Sequence, residues 1–142
     1  MSRRAFLLAA GAAGAALALM GAQQPAALAR TQAGLWEISG APGMKAPIRQ
    51  CVGNVATLAQ FEHRGKPCRL RVTTDRPSST LFDYSCGAAG FGRSEVEVIT
   101  PRSLRIDTQG ISNQLPFNYV IQARRVGDCP GRPQPQTHAQ VH

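Results

Sequence analysis

Few residues of this chain have the types and spacing that catalysis requires. His63 is the one histidine outside the C-terminal tail, and it follows Glu62 at the end of a predicted helix, where an exposed position is the simpler interpretation. A histidine-assisted nucleophile needs a base and an orienting partner within reach. The sequence marks neither, and it contains no G-x-S-x-G motif. Glu95 and Glu97 share the polar face of a predicted strand, where solvated charges are expected rather than a glycosidase pair. We therefore expect no catalytic residues and no enzyme.

The four cysteines are the second group that could carry chemistry. They are Cys51, Cys68, Cys86 and Cys129, and no two of them form a C-x-x-C pair. This spacing disfavours a thioredoxin-like site and a zinc ribbon. Adding His63 matches no metal-site pattern either, so we expect no metal and no cofactor. An even count in a small exported domain indicates two disulfides, for which the sequence allows three connectivities.

Aromatic residues are the candidates for contact with a ligand. Phe91 lies among Gly87, Gly90 and Gly92 in a connection that leads into a strand. A phosphate-binding loop would instead lead into a helix. Trp36, the lone tryptophan, is expected to pack in the core or at an edge, with ligand contact as the less favoured alternative. The candidate ligand contacts are Trp36, Tyr84, Phe91 and Tyr119.

The elements that must position these residues are mostly strands. Apolar and polar residues alternate through 68–72, 82–86, 95–98, 104–107 and 117–124. Such alternation is typical of antiparallel strands with one solvated face. We therefore predict a mostly β fold, an antiparallel meander of about six or seven strands that forms a twisted sheet or partial barrel.

Strand pairing can be checked against this alternation. Folding the strand of Cys68 onto the strand of Cys86 sets the two cysteines opposite each other and sets Leu70 opposite Tyr84. All four side chains then share one face, an agreement that a one-residue slip would break. The pairs predicted in the following hairpin are Val98 with Leu104 and Val96 with Ile106. We therefore favour a Cys68–Cys86 disulfide, which leaves Cys51–Cys129.

One segment breaks the alternation. Val55, Leu58 and Phe61 recur at helical spacing, and Asn54 before them is a residue type that favours the N-cap position. Gly65 follows as a stop signal. We predict one short helix over this segment.

The N-terminal residues predict export. Arg3 and Arg4 precede an uncharged run over 5–22 built mostly of Ala and Gly, and Ala27-Leu28-Ala29 fits the A-x-A cleavage pattern. We predict a signal peptide over 1–29, cleaved after Ala29, and a periplasmic location. The paired arginines favour the twin-arginine route over general secretion. The weak hydrophobicity of the run disfavours an uncleaved anchor helix.

The remainder of the chain divides into one domain and a tail. Residues 30–129 suffice for a single β-rich domain with a modest core. Residues 130–142 are rich in Pro and Gln and are expected to be disordered. The chain has 16 Lys and Arg against 8 Asp and Glu, a net charge of +8. A generally basic, solvated surface is the favoured interpretation, and attraction to anionic envelope surfaces is the alternative. Because the arginines are scattered, we expect no nucleic-acid binding, and we expect a monomer.

Several short motifs taken together resemble a known family. The domain opens with Ala33-Gly34-Leu35-Trp36-Glu37-Ile38, has Cys51-Val52 before the helix, and ends with Arg124-Arg125-Val126-Gly127-Asp128-Cys129. In this order, and with Tyr84-x-Cys86 between them, these motifs resemble the bacterial domain-of-unknown-function family 3617. The resemblance implies a small exported, disulfide-bonded, β-rich protein and supplies no catalytic residues. One departure is the loop Gly43-Met44-Lys45-Ala46-Pro47, which is usually richer in methionine.

Two functions are predicted as alternatives. The first is a non-enzymatic periplasmic protein that holds a small amphipathic or anionic envelope ligand, such as a lipid, on its apolar sheet face. That face would carry Leu70, Val72, Phe82, Tyr84, Phe117, Tyr119 and Ile121, with Arg69, Arg71, Arg124 and Arg125 at its rim. A core filled by the same apolar residues is the simpler interpretation. The second function is an interaction or inhibitor module that binds another envelope protein through the loop of Phe91.

Overall fold

The computed structural model of the protein describes residues 24–131. Residues 1–23 of the predicted signal peptide, and the predicted tail beyond Gly131, lie outside this part. Seven strands form one antiparallel sheet: β1 (Gly34–Ser39), β2 (Ile48–Val52), β3 (Arg69–Asp75), β4 (Ser79–Ser85), β5 (Gly90–Thr100), β6 (Ser103–Ser112) and β7 (Leu115–Gly127). Their order across the sheet is β2-β1-β7-β6-β5-β4-β3. The predicted antiparallel meander is confirmed as an open sheet whose edge strands are β2 and β3.

The predicted strand registers are confirmed. Leu70 lies opposite Tyr84 in the β3–β4 hairpin, and Val98 lies opposite Leu104 in the β5–β6 hairpin. Each of these hairpins also has a register shift near its turn. Bulges of this kind increase the local twist of the strands.

One face of the sheet, called the inner face below, carries the core. Two short 3-10 segments cover it, Val55–His63 and Ala26–Leu28. The buried apolar side chains of the sheet on this face include Trp36, Ile38, Phe82, Val96, Leu104, Ile106, Ile121 and Ala123. Most of the apolar face is therefore a packed core, as the simpler interpretation of the sequence expected.

The covering segments leave the middle of the edge strand β3 partly uncovered. Val72, which the alternation places on the apolar face, is 43% exposed, and Leu70 is only partly buried. Alternation identifies which face of a strand is apolar, but burial also requires an element packed on that face. At this edge no described segment packs closely enough to bury Val72.

The predicted helix is present as a 3-10 helix, Val55–His63. The Asn54 side chain caps it by accepting a hydrogen bond from the Ala56 N–H at 3.0 Å. Val55, Leu58 and Phe61 recur every third residue, which is the repeat of a 3-10 helix, and all three are buried.

Both predicted disulfides are present. Cys68–Cys86 joins the ends of β3 and β4, and Cys51–Cys129 ties the edge strand β2 to the chain that follows β7. Disulfides persist in oxidising compartments, so their presence is compatible with an exported protein. Among residues 24–131, no helix is long and apolar enough to cross a membrane.

Removing the long-range disulfide should cost more stability than removing the short-range one. The bridged cysteines are 78 residues apart in Cys51–Cys129 and 18 apart in Cys68–Cys86. The chain-entropy model then gives the double variant C51A/C129A a loss in unfolding free energy about 1 kcal/mol larger than that of C68A/C86A. Urea titration of both variants measures the difference. Equal losses, or a larger loss in C68A/C86A, would contradict this ordering.

Candidate functional site

Two glycines create space on the inner face toward one end of the sheet. Tyr84, Gly92, Gly110 and Phe117 are successive cross-strand partners on β4, β5, β6 and β7. A Cβ atom on Gly92 would lie 2.5 Å from the Tyr84 hydroxyl. One on Gly110 would first clash with the β5 backbone at the Phe91 carbonyl and the Gly92 Cα, and would lie 3.0 Å from the Phe117 ring. The two aromatic rings therefore lie over the glycines, an arrangement that compensates for missing side chains in a sheet.

His63 fills the space between the two rings. Its ring centroid lies 5.5 Å from that of Tyr84 and 5.9 Å from that of Phe117, edge-on in both cases. Its Nε2 lies 3.0 Å from the Ala89 carbonyl oxygen, and its Nδ1 lies 3.2 Å from the Tyr84 hydroxyl. Because a carbonyl only accepts, Nε2 carries the proton and Nδ1 accepts from Tyr84. Both ring nitrogens are thus engaged inside the protein, which argues against a role in proton transfer.

The burial of His63 corrects the sequence-based expectation for this residue. We expected it at an exposed helix end, but its side chain is buried, with only 3% exposed. The cause is a non-helical residue, Gln60, which kinks the 3-10 helix and changes the direction of its last residues.

A buried row of hydroxyl groups extends the polar contacts under the helix. Ser94 and Thr108 are both fully buried, and their hydroxyl oxygens lie 2.7 Å apart. Ser94 donates to the Ala59 carbonyl in the helix above, so the Thr108 hydroxyl donates to Ser94. Every buried side-chain nitrogen and oxygen atom within residues 24–131 has a hydrogen-bond partner. The row is therefore a satisfied polar network that fixes the helix on the sheet.

Tyr119 extends the aromatic cluster toward solvent. Its ring lies 5.9 Å from the Phe117 ring, and its hydroxyl donates to the Glu62 carboxylate at 2.7 Å. Burial, followed by the hydrogen bond to Glu62, raises the pKa of the Tyr119 phenol well above its usual value. Burial is also the main cause that raises the pKa of the Tyr84 phenol to about 12.

A cleft of about 470 Å³ opens beside this cluster, between the β1–β2 loop, the end of the helix and the start of β7. Its lining residues are Ala41, Pro42, Met44, Phe61, Glu62, Arg64, Pro116, Phe117, Asn118 and Tyr119. The Arg64 guanidinium lies 4.5 Å from the centroid of the Phe61 ring and donates to the Phe61 carbonyl. An apolar wall thus meets a carboxylate, a phenol and a guanidinium, which is the composition of sites for small amphipathic molecules.

The structure places the four candidate ligand contacts in different parts of the molecule. Tyr84 and Tyr119 lie in the same aromatic cluster, and Tyr119 lines the cleft. Trp36 is fully buried, and its indole N–H donates to the Gln32 carbonyl at 3.2 Å, so it packs in the core as the favoured alternative predicted. Phe91 is 56% exposed on the opposite face of the sheet.

The arginines expected at the rim of the apolar face lie elsewhere. Arg71 contacts Asp83 and Arg124 contacts Glu37, both through side chains on the outer face of the sheet. The Arg125 side chain packs over Gly34, and its guanidinium donates to the Ala33 carbonyl at 3.0 Å. The cation beside the cleft is instead Arg64.

The residues that sequence reasoning missed lie at the end of the helix. Glu62 and Arg64 flank the buried His63, and nothing in their types or spacing separates them from ordinary surface charges. The one signal in the sequence concerns the type of helix on which these residues lie. The three-residue spacing of Val55, Leu58 and Phe61 indicates a 3-10 helix rather than an α-helix.

The two tyrosines provide a test of this cluster, because the chain contains no others. We expect folded protein to show almost no tyrosinate absorbance at about pH 11, whereas the unfolded chain titrates near pH 10. Since the folded-state pKa values are raised, stability should be complete below about pH 10 and should fall as the pH rises toward 12.

The variant Tyr119→Phe isolates the Tyr84 phenol, whose midpoint should be about 12. Ultraviolet absorbance and circular dichroism, recorded on the same samples, separate ionisation from unfolding. A midpoint near 10 in protein that is still folded would contradict the burial of Tyr84.

No protein-family model matches this chain, and searches of curated proteins and of solved structures found no match either. The resemblance to domain-of-unknown-function family 3617 therefore stays a prediction that depends on its short motifs.

Proposed function

We propose that this protein is an exported, non-enzymatic binding protein of the periplasm that takes a small amphipathic ligand with an anionic group in the cleft. The observation that supports this most directly is the cleft itself, where the guanidinium of Arg64 lies next to an apolar wall. Small-ligand sites are concave and mostly apolar and carry a few convergent polar groups. The cleft is concave, and it combines an apolar wall with convergent polar groups that make up the larger share of its exposed surface.

The apolar wall supports a ligand with a hydrophobic part. Phe61 is held in the core, and Met44 and Phe117 are partly buried against it. The β1–β2 loop that brings Met44 here is closed by a hydrogen bond from the Met44 N–H to the Ala41 carbonyl at 3.1 Å. A wall built on a packed core is preorganised, which reduces the entropy lost on binding.

The polar side of the cleft supports an anionic group on that ligand. A guanidinium has five N–H donors, so the bond from Arg64 to the Phe61 carbonyl leaves donors for a carboxylate or a phosphate. Arg64 is exposed, and its contact with the Phe61 ring orients the guanidinium. The Glu62 carboxylate beside it is held by Tyr119 and would accept from a hydroxyl group of the ligand.

Binding of a fluorescent fatty acid to purified protein tests this function. Replacing Arg64 with Ala removes the partner of the anionic group, so we expect affinity to fall about tenfold or more. Met44→Ser should weaken binding through the apolar wall, because it removes apolar contact area.

Arg102→Ala is the matched control, since Arg102 is an exposed arginine outside the cleft, and its affinity should equal that of the unchanged protein. Absence of binding by the unchanged protein would refute the proposal. Equal binding by the Arg64 and Arg102 variants would refute the role of Arg64.

An interaction module is the second candidate, and a specific surface favours it. Phe91, Ile111 and Pro116 are cross-strand neighbours at one end of the outer face. Phe91 is 56% exposed, and Pro116 is also exposed. Contiguous exposed apolar residues often mark a site of protein contact.

Capture of partners from an envelope extract tests this second candidate. Phe91→Ser should abolish capture of any partner that uses this surface. Ile99→Ser is the matched control, because Ile99 is also 56% exposed but is not part of the row, and it should leave capture unchanged. Identical capture by both variants would exclude the Phe91 surface as the contact.

A further inference from the structure

The predicted cleavage site lies inside a segment that packs into the core. We propose that Pro25–Ala29 are retained in the mature folded domain, so that a leader removed on export ends upstream of Pro25 rather than after Ala29. This inference rests on the proposed export of the protein, and it is independent of the ligand.

Burial of the segment is the first observation. Leu28 has no exposed surface and belongs to the main core cluster, and Ala27 is 5% exposed. The turn Ala26–Leu28 packs against β4 and β5, whereas the chain then enters the sheet at β1, on the other side of β7 and β6. The segment therefore spans the end of the inner face that the 3-10 helix does not cover. Removing Leu28 would leave an apolar cavity in the core.

Hydrogen bonds attach the segment at both of its ends. The Ala26 N–H donates to the Asp75 carboxylate at 2.9 Å, and the other oxygen of Asp75 accepts from the buried Thr80 hydroxyl at 3.1 Å. At the other end, the Leu28 carbonyl accepts from both the N–H and the hydroxyl of Thr31, at 3.0 and 2.7 Å. Cleavage after Ala29 would remove this acceptor and leave two donors of the buried Thr31 without partners, which is costly.

Access to the cleavage bond is the third consideration. Proteases cut exposed chain, or chain that opens transiently. In the folded domain the alanine and leucine that precede Ala29 in the A-x-A pattern are buried. A twin-arginine substrate folds before export, so these two residues would be packed in the core when the leader is removed, whereas Ala29 and Arg30 on either side of the bond are exposed. The sequence offers the same pattern upstream, at Ala16-Leu17-Ala18.

The N-terminus of the exported protein tests the proposal. The full-length precursor is expressed in a Gram-negative host that has both export routes, and folded protein from the periplasm is analysed by intact mass and N-terminal sequencing. We expect an N-terminus at or before Pro25. An N-terminus at Arg30 in folded protein would overturn the proposal. Precursor found only in the cytosol would refute the proposed export instead, and the stability comparison would then decide the role of the segment.

That comparison uses two leucines of the full-length chain. Leu28→Ala should lower the folding equilibrium constant about 30-fold or more, as expected for a buried leucine. Leu115→Ala, at a 70% exposed position, should change it less than about threefold. Urea titration measures both. Equal effects of the two substitutions would show that Leu28 is not part of the core and would overturn the proposal.

Discussion

The packing of the 3-10 helix Val55–His63 against the sheet is the contact on which the rest of the structure depends. An open antiparallel sheet has one apolar face, and that face needs a second layer. The helix supplies this layer through Leu58 and Phe61, and the Ser94 hydroxyl ties it to the centre of the sheet through the Ala59 carbonyl. Since this hydrogen bond is buried, leaving it unmade would cost roughly 1–3 kcal/mol. This hydrogen bond therefore fixes the position of the helix on the sheet, in addition to holding the two layers together.

The candidate site follows from how this helix ends. Phe61 and His63 are buried, whereas Glu62 is half-buried and Arg64 is exposed. Buried and exposed residues thus alternate over these four positions. This alternation places the charges of Glu62 and Arg64 directly beside the aromatic cluster. Gly92 makes the cluster possible, because a side chain there would occupy the space of the Tyr84 ring, and Gly110 allows β6 to lie close to the β5 backbone.

On the outer face of the sheet, several arginines are paired with carboxylates. Asp83 is shared by Arg93, through contacts of 2.7 and 3.1 Å, and by Arg71 at 3.6 Å. The hydrogen bond from Arg93 is the largest cause that lowers the pKa of the Asp83 carboxyl. Exposed pairs of this kind contribute little stability individually. The surplus of arginine still gives the surface a positive field that attracts anionic molecules.

The sequence by itself determined most of the strands and the registers of two hairpins, and it favoured the disulfide pairing that the structure has. Period-two alternation and the opposition of Cys68 to Cys86 are local properties, and one hairpin register satisfies both. The helix was also visible, since Asn54 and the three-residue apolar spacing are local signals.

Only the tertiary structure decided which parts of the apolar face are covered. Val72 alternates correctly and is still exposed, because no segment within residues 24–131 packs over it. Leu28 looked like part of a cleavage motif and is a core residue. The approach of Glu62 to Tyr119, 57 residues away in the chain, has no sequence signal. Burial and long-range contacts depend on how separate elements stack, and that stacking is set by the whole chain rather than by any one stretch of it.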